Sequence, residues 1–258
     1  MYLASSGLSA QGIGGVLSST ENVFWLRSDK GTTIDDNSNL TTWSDEANSH
    51  HATNNTEATN PFFDASASVG SNAEPAILFT SASSEYLDLV DDASINTGPI
   101  TTRSIYFTFQ TGADISTPQY LYQQGDGAEG IFAYISANVL TVGINNSSTS
   151  YTISTAALAA NTAYFAGFVY NGGAATLDLS LNGTPSTQVT SVAASISTHT
   201  AIRVGSDANN ANFMNGHIAE IIYYNVVLSE GEIRVIENAL SEKYGITTVN
   251  DHFATAGS

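Results

Sequence analysis

The sequence predicts an all-β protein, a two-sheet antiparallel jelly-roll sandwich, closed by a single C-terminal α-helix. Three observations predict it. Short stretches of strand character recur from residue 22 to residue 224, with turn residues between them. Some alternate strictly, as in Thr176 to Leu181, where Leu177, Leu179 and Leu181 share one face. Helical spacing, by contrast, is well marked in one late segment that begins at Ser229.

Taken in order, residues 1–14 are Gly- and Ser-rich and read as a lead-in segment. Residues 15–246 read as one domain, and 247–258 as a tail or linker; no Pro-rich stretch divides the chain. The first strand is Asn22 to Arg27. A polar loop, Ser28 to Asn39, precedes a strand at Leu40 to Ser44 around Trp43. Residues 45–74 read as a long excursion with few apolar anchors beyond Phe62 and Phe63, and loops of that length are commonly functional or mobile. Strands then follow at 76–79, 85–89, 103–110, 119–124, 131–136, 139–144, 150–153, 163–170 and 176–181. The last read at 188–192, 201–204 and 217–224. Asn171-Gly172-Gly173 and Asn182-Gly183 supply hairpin turns, because Asn and Gly accept positive φ. The helix has a start and a stop. Ser229 with Glu232 forms a capping box, Ile233, Ile236, Leu240 and Tyr244 share a face, and Gly245 suits the left-handed terminating position.

Composition narrows the function. Charged residues are only 12% of 258, with hydrophobic residues at 42%, so the polar skin is mostly uncharged Ser, Thr, Asn and Gly. The net charge is −18 with six Lys plus Arg, which excludes binding to phosphate backbones and disfavours anionic membranes. The chain has no cysteine, so thiol catalysis, disulfides and thiolate metal sites are excluded. No stretch is apolar over the length a membrane span needs, and Met1 to Ser6 lacks the features of a signal peptide. The chain reads as cytosolic or, better on composition, as a piece of a larger exported protein.

The run Asn215-Gly216-His217-Ile218-Ala219-Glu220-Ile221-Ile222-Tyr223-Tyr224-Asn225, with Leu228-Ser229-Glu230 and Lys243-Tyr244-Gly245-Ile246, resembles the closing signature of laminin-G-like jelly rolls. These belong to the concanavalin A-like lectin/glucanase superfamily. Phe24 to Gly31, Trp43-Ser44-Asp45, Pro75 to Phe79 and Glu85-Tyr86-Leu87 follow the order of such domains in exported Bacteroidetes proteins, many of them type IX secreted adhesins or multi-module enzymes. The resemblance implies adhesion or carbohydrate binding at the cell surface or outside the cell. The chain departs from it after Asp45, where Ala47-Asn48-Ser49-His50-His51 replaces a tight glycine turn.

The superfamily's glucanases place two carboxylates on one face of a strand at alternate spacing. No such pattern is present here, and Glu85 and Asp88, near Asp91 and Asp92, are three apart and point oppositely in a strand. Gly-x-Ser-x-Gly elbows and phosphate loops are absent. The chain is therefore expected to be no enzyme; an unfamiliar polysaccharide-degrading site in 45–74, or an inert spacer in a surface fibre, are the alternatives. His50-His51 reads as a solvated loop pair, since neighbouring strand residues diverge, and His217 as structural. Calcium is the implied cofactor, held by Asp29, Asp45 and Glu220, with Asp126 and Asp207 as loop-rim alternatives. Against that, Asp45 can cap a turn and Glu220 can pair with Arg27 or Arg203. A glycan or cell-surface ligand is expected at Asn145, Asn146, Asp207, Asn209, Asn210, Asn212 and Phe213, where amides meet an aromatic face; ordinary loop filling competes. The isolated domain is expected to be monomeric.

Overall fold

The computed structural model describes residues 12–16, 20–89, 92–197 and 202–249. They form two packed sheets, and every strand pairing among them is antiparallel. The first sheet runs Thr184–Pro185, Thr176–Leu181, Ala163–Asn171, Thr102–Thr111, Gly216–Tyr224, Glu74–Phe79, Phe62–Val69. Asn22–Arg27 also pairs with Gly216–Tyr224, and Val189–Thr190 with Thr176–Leu181. The second runs Thr149–Ser154, Val139–Asn146, Gly130–Ser136, Gln119–Gly125, Ile202–Val204, Leu87–Leu89, Ala52–Thr53, Leu40–Trp43, Thr32–Ile34. Neighbours distant in sequence lie side by side, giving the predicted sandwich.

Short strands at Ala52–Thr53 and Thr184–Pro185 fall where the sequence predicts none. So do two others: Thr32–Ile34 lies within Ser28–Asn39, and Phe62–Val69 within the excursion 45–74. Both are edge strands, and the pairing of Phe62–Val69 shifts register between Asp64 and Val69. An edge strand with one partner and a bulge needs little apolar alternation, so its sequence resembles a loop.

The main core lies between the sheets. Phe24, Leu26, Trp43, Phe79, Phe107, Leu121, Tyr122, Ile144 and Tyr223 are buried there. Each such side chain contributes roughly 1.5–3 kcal/mol by leaving water. A second cluster covers the outer face of the first sheet, where Ile236, Leu240 and Tyr244 of helix Glu230–Tyr244 pack on Tyr106, Phe165, Ile222 and Tyr224. The helix begins and ends as predicted: the Ser229–Glu232 capping box is formed, and Gly245 has φ 60°. Ile13 and Val16 join this second cluster, so the chain already packs on the domain before residue 20.

Gly216–Tyr224 supplies residues to both clusters by alternation, with one interruption. The register slips between Ile218 and Glu220. Ala219 is the extra residue of a bulge, and in consequence Glu220 faces the helix rather than the core. Among the described residues no helix is long and apolar enough to cross a membrane.

Candidate functional site

Helix Glu230–Tyr244 covers the outer face of the first sheet; the second sheet's outer face carries an open groove of about 350 Å³. Cross-strand register builds it. Tyr134 stands opposite Tyr120, Phe132 opposite Gln123 and Gly143, and Asn145 opposite Ser150. In Gly130–Ser136 strict alternation sends Ile131, Ala133 and Ile135 into the core and Phe132 and Tyr134 outward. In Gln119–Gly125 a register shift breaks the alternation: Leu121 and Tyr122 both face the core, and Tyr120 emerges beside Tyr134. The three rings form one stack, with centroids 5.2 Å apart for Tyr120–Tyr134 and 5.9 Å for Phe132–Tyr134.

Gly143 makes this stack fit. A Cβ there would lie 2.8 Å from Phe132 Cζ and 2.3 Å from the Tyr151 carbonyl oxygen, so only glycine lets the ring lie across the neighbouring strand. Polar groups surround the rings. Gln123 is 6% exposed; its Oε1 accepts from the Ala208 amide at 3.0 Å, and its Nε2 has no partner among the described residues. Asn145 donates to the Asp126 carbonyl and accepts from Ser150 Oγ at 2.6 Å. The loop after Ile202–Val204 forms the wall, where Asp207 Oδ1 accepts from the Asn209 and Ala211 amides and Oδ2 from Asn212 Nδ2. Burial, and then the charge of Asp207, raise the pKa of Tyr120, which keeps its hydroxyl protonated and able to donate.

The predicted ligand residues divide accordingly. Asn145, Asp207 and Asn209 line the groove. The others do not: Asn146 donates to the Ser195 carbonyl, Asn210 accepts from Arg203, Asn212 braces Asp207, and Phe213 lies outside the lining. Tyr120, Gln123, Phe132 and Tyr134 were not legible as site residues, because an aromatic in a strand of this chain reads equally well as core. The alternation of Phe132 and Tyr134 against Ile131, Ala133 and Ile135 was the available signal.

A family model described as the concanavalin A-like lectin/glucanases superfamily, of laminin-G type, matches residues 80–234. The chain belongs to this superfamily. Among solved structures, the botulinum neurotoxin serotype G binding domain superimposes with a TM-score of 0.62 at 11% identity, over 86% of this chain and 51% of that one. The binding domain of botulinum neurotoxin DC, in complex with SialylT, gives 0.60 at 13% identity over 86% and 52%. The chain thus spans about half the length of these toxin domains, and the likeness is one of fold. A Ruminococcus gnavus IT-sialidase CBM40 bound to α2,3 sialyllactose gives 0.46 at 17% identity over 58% and 84%. Among curated proteins none matches.

The superfamily resemblance implies calcium at Asp29, Asp45 and Glu220, and their surroundings test that fit. Glu220 is 1% exposed; Oε1 accepts from Trp25 Nε1 at 2.5 Å, and Oε2 from Lys243 Nζ at 2.8 Å and Tyr244 OH at 2.7 Å. The same ammonium lies 2.9 Å from Asp29 Oδ1, and Arg27 pairs with Asp29 from the other side. Burial alone would raise the Asp29 pKa, but Arg27 and Lys243 outweigh it and hold it at about 2. Asp45 is turned elsewhere: it accepts from the amides of Trp25, Ala47, Asn48 and His50. A lysine occupies the space between the first two carboxylates and the third caps a turn, so these residues as placed do not fit a calcium ion. Among the described residues no group of three or more His, Asp or Glu side chains is arranged to hold a metal. Glu220 pairs with Lys243 rather than Arg203, whose partner is Asp88. Asp126, the other loop-rim candidate, accepts from the Ala128 and Glu129 amides.

The histidine pair divides: His50 is buried, whereas His51 is only half-buried. His50 is 9% exposed; Nδ1 lies 2.9 Å from the Val23 carbonyl and 3.4 Å from Asp45, and Nε2 lies 3.0 Å from Ser94 Oγ and 3.4 Å from Asp92. With oxygen at both ring nitrogens, Asp45 foremost raises its pKa, against the opposing effect of burial. His51 Nδ1 accepts from the Asp45 amide. The loop that lost its glycines is therefore folded around the Asp45 carboxylate instead. His217 sits 3.2 Å from Asp64, an ion-pairing position at the strand start. The acidic cluster disperses as well: Glu85 accepts from the Thr80 amide, Asp88 pairs with Arg203, and Asp92 caps helix Ala93–Asn96; Asp91 lies outside the described residues.

Proposed function

We propose that this chain is a non-catalytic glycan-binding or adhesion module of a larger exported or cell-surface protein. The groove carries the reading. Three stacked aromatic rings beside Gln123 Nε2, which has no partner among the described residues, two tyrosine hydroxyls and the Thr152 hydroxyl offer what a sugar needs: an apolar surface for C–H faces and neutral hydrogen-bonding groups for hydroxyls. The groove is also open, whereas an inert spacer needs none.

Membership of the superfamily is compatible with both lectin and glucanase activity, and the lining of the groove favours the first. Glycoside hydrolysis in most enzyme families uses two carboxyl groups flanking the scissile bond. The groove is lined by one, Asp207, whose two oxygens are engaged by three N–H donors within its own loop. A fold shared with the neurotoxin DC binding domain, solved in complex with SialylT, agrees with a binding role.

A glycan array probed with the labelled domain, with and without calcium, tests the proposal. Binding to at least one glycan class, lost on Tyr134→Ala, is expected. No binding in either condition, or turnover of a bound polysaccharide by the isolated domain, overturns it.

A further inference from the structure

We infer that the groove selects uncharged glycans and rejects acidic ones such as uronates and sialylated sugars. The inference rests on the proposed glycan site and adds its ligand class.

Every group left free to meet a ligand is neutral. Gln123 Nε2 and the hydroxyls of Tyr120, Tyr134 and Thr152 have no hydrogen-bond partners among the described residues, and the exposed Asn209 side chain lies at the rim. None is cationic, and the only formal charge on the lining is the carboxylate of Asp207. An acidic sugar recognised in a groove is ordinarily met by a guanidinium or ammonium, because desolvating a carboxylate without a countercharge is costly. The chain has six Lys plus Arg in all. Arg203 comes nearest, standing opposite Gln123 in the strand register. Its guanidinium is already committed: it pairs with Asp88 at 2.9 Å on the far side of its strand, donates to Asn210, and lies over the Tyr86 ring at 4.8 Å.

Two fields add to one another. Asp207 lies close enough to Tyr120 for its charge to act on that hydroxyl. The whole-chain charge of −18 repels an anionic polymer before it arrives, slowing association at low ionic strength. A neutral polysaccharide experiences neither.

The test compares neutral and acidic series by isothermal titration: neutral oligosaccharides (cellohexaose, laminarihexaose, mannohexaose, lactose) against acidic ones (oligoguluronate, oligomannuronate, sialyllactose), at low and high salt. At least one neutral ligand is expected to bind about tenfold or more tightly than any acidic counterpart. The ratio narrows on Asp207→Asn and at high salt. Acidic ligands binding as well as neutral ones, or better, overturns the selectivity and leaves the glycan site standing. Binding of neither series overturns both.

Discussion

Lys243 is the keystone of the helix-to-sheet contact, and its removal provides a quantitative test. In Lys243→Met the stem is retained and the ammonium lost. Glu220, with a side chain 0% exposed, would keep only two neutral donors, Trp25 Nε1 and Tyr244 OH. Breaking a buried pair from one side costs about 3–5 kcal/mol. Three features reduce that figure here: the lysine side chain is 17% exposed, the neutral donors remain, and Arg27 also acts on Glu220. A loss of about 2–3 kcal/mol is expected. Replacing both partners, as Glu220→Leu with Lys243→Met, removes the stranded carboxylate. The double variant should therefore be less destabilised than the sum of the singles by about 1.5 kcal/mol or more. Urea unfolding followed by tryptophan fluorescence, with Trp25 in direct contact with Glu220, measures all four proteins. A Lys243→Met protein within about 0.5 kcal/mol of the parent would show that the pair is surface decoration and refute the reasoning.

Three further outcomes follow from the geometry. The folded pKa of His50 is raised by Asp45 and Asp92, so its contribution is complete below about 6.5, the unfolded value, and fades as pH rises through the folded value. Stability should thus fall as pH rises from about 6.5 through the raised folded value, and His50→Gln should flatten that slope; an unchanged slope in the variant would exclude His50 as its source. Gly143→Ala should cost about 1–3 kcal/mol and weaken glycan binding, because the new methyl meets Phe132 and the Tyr151 carbonyl; unchanged melting and affinity would contradict the packing argument. Millimolar calcium should produce no saturable rise in melting temperature, since Lys243 separates Asp29 from Glu220; a saturable rise would place an ion elsewhere.

The architecture was legible where local physics decides it. Ser229, Glu232 and Gly245 set the helix ends, because capping is a contest among neighbouring residues that the sequence displays directly. Thr176–Leu181 and Asn22–Arg27 were legible from alternation and apolar content. Phe62–Val69 was not, because its pairing is supplied by a partner strand and not by its own pattern. The site shows the same division. Asn145, Asp207 and Asn209 could be named because amides and acids at turns are conspicuous. The aromatic stack could not, since both faces of Gly130–Ser136 are apolar and only the sheet topology shows which one is uncovered. Bulges were the other hidden element. One residue slipped at Ala219 turns Glu220 toward Lys243, and one near Leu121 turns Tyr120 into the groove.

The groove on the second sheet is the proposed glycan site. Titration of the array's best neutral glycan into the parent protein, Tyr134→Ala and Lys243→Met tests that assignment most directly. Tyr134→Ala is expected to lose about tenfold in affinity, near 1.4 kcal/mol, while Lys243→Met, on the helix over the other sheet, is less stable but unchanged in affinity at a temperature where it is folded. Equal affinity in the parent and Tyr134→Ala would contradict the assignment.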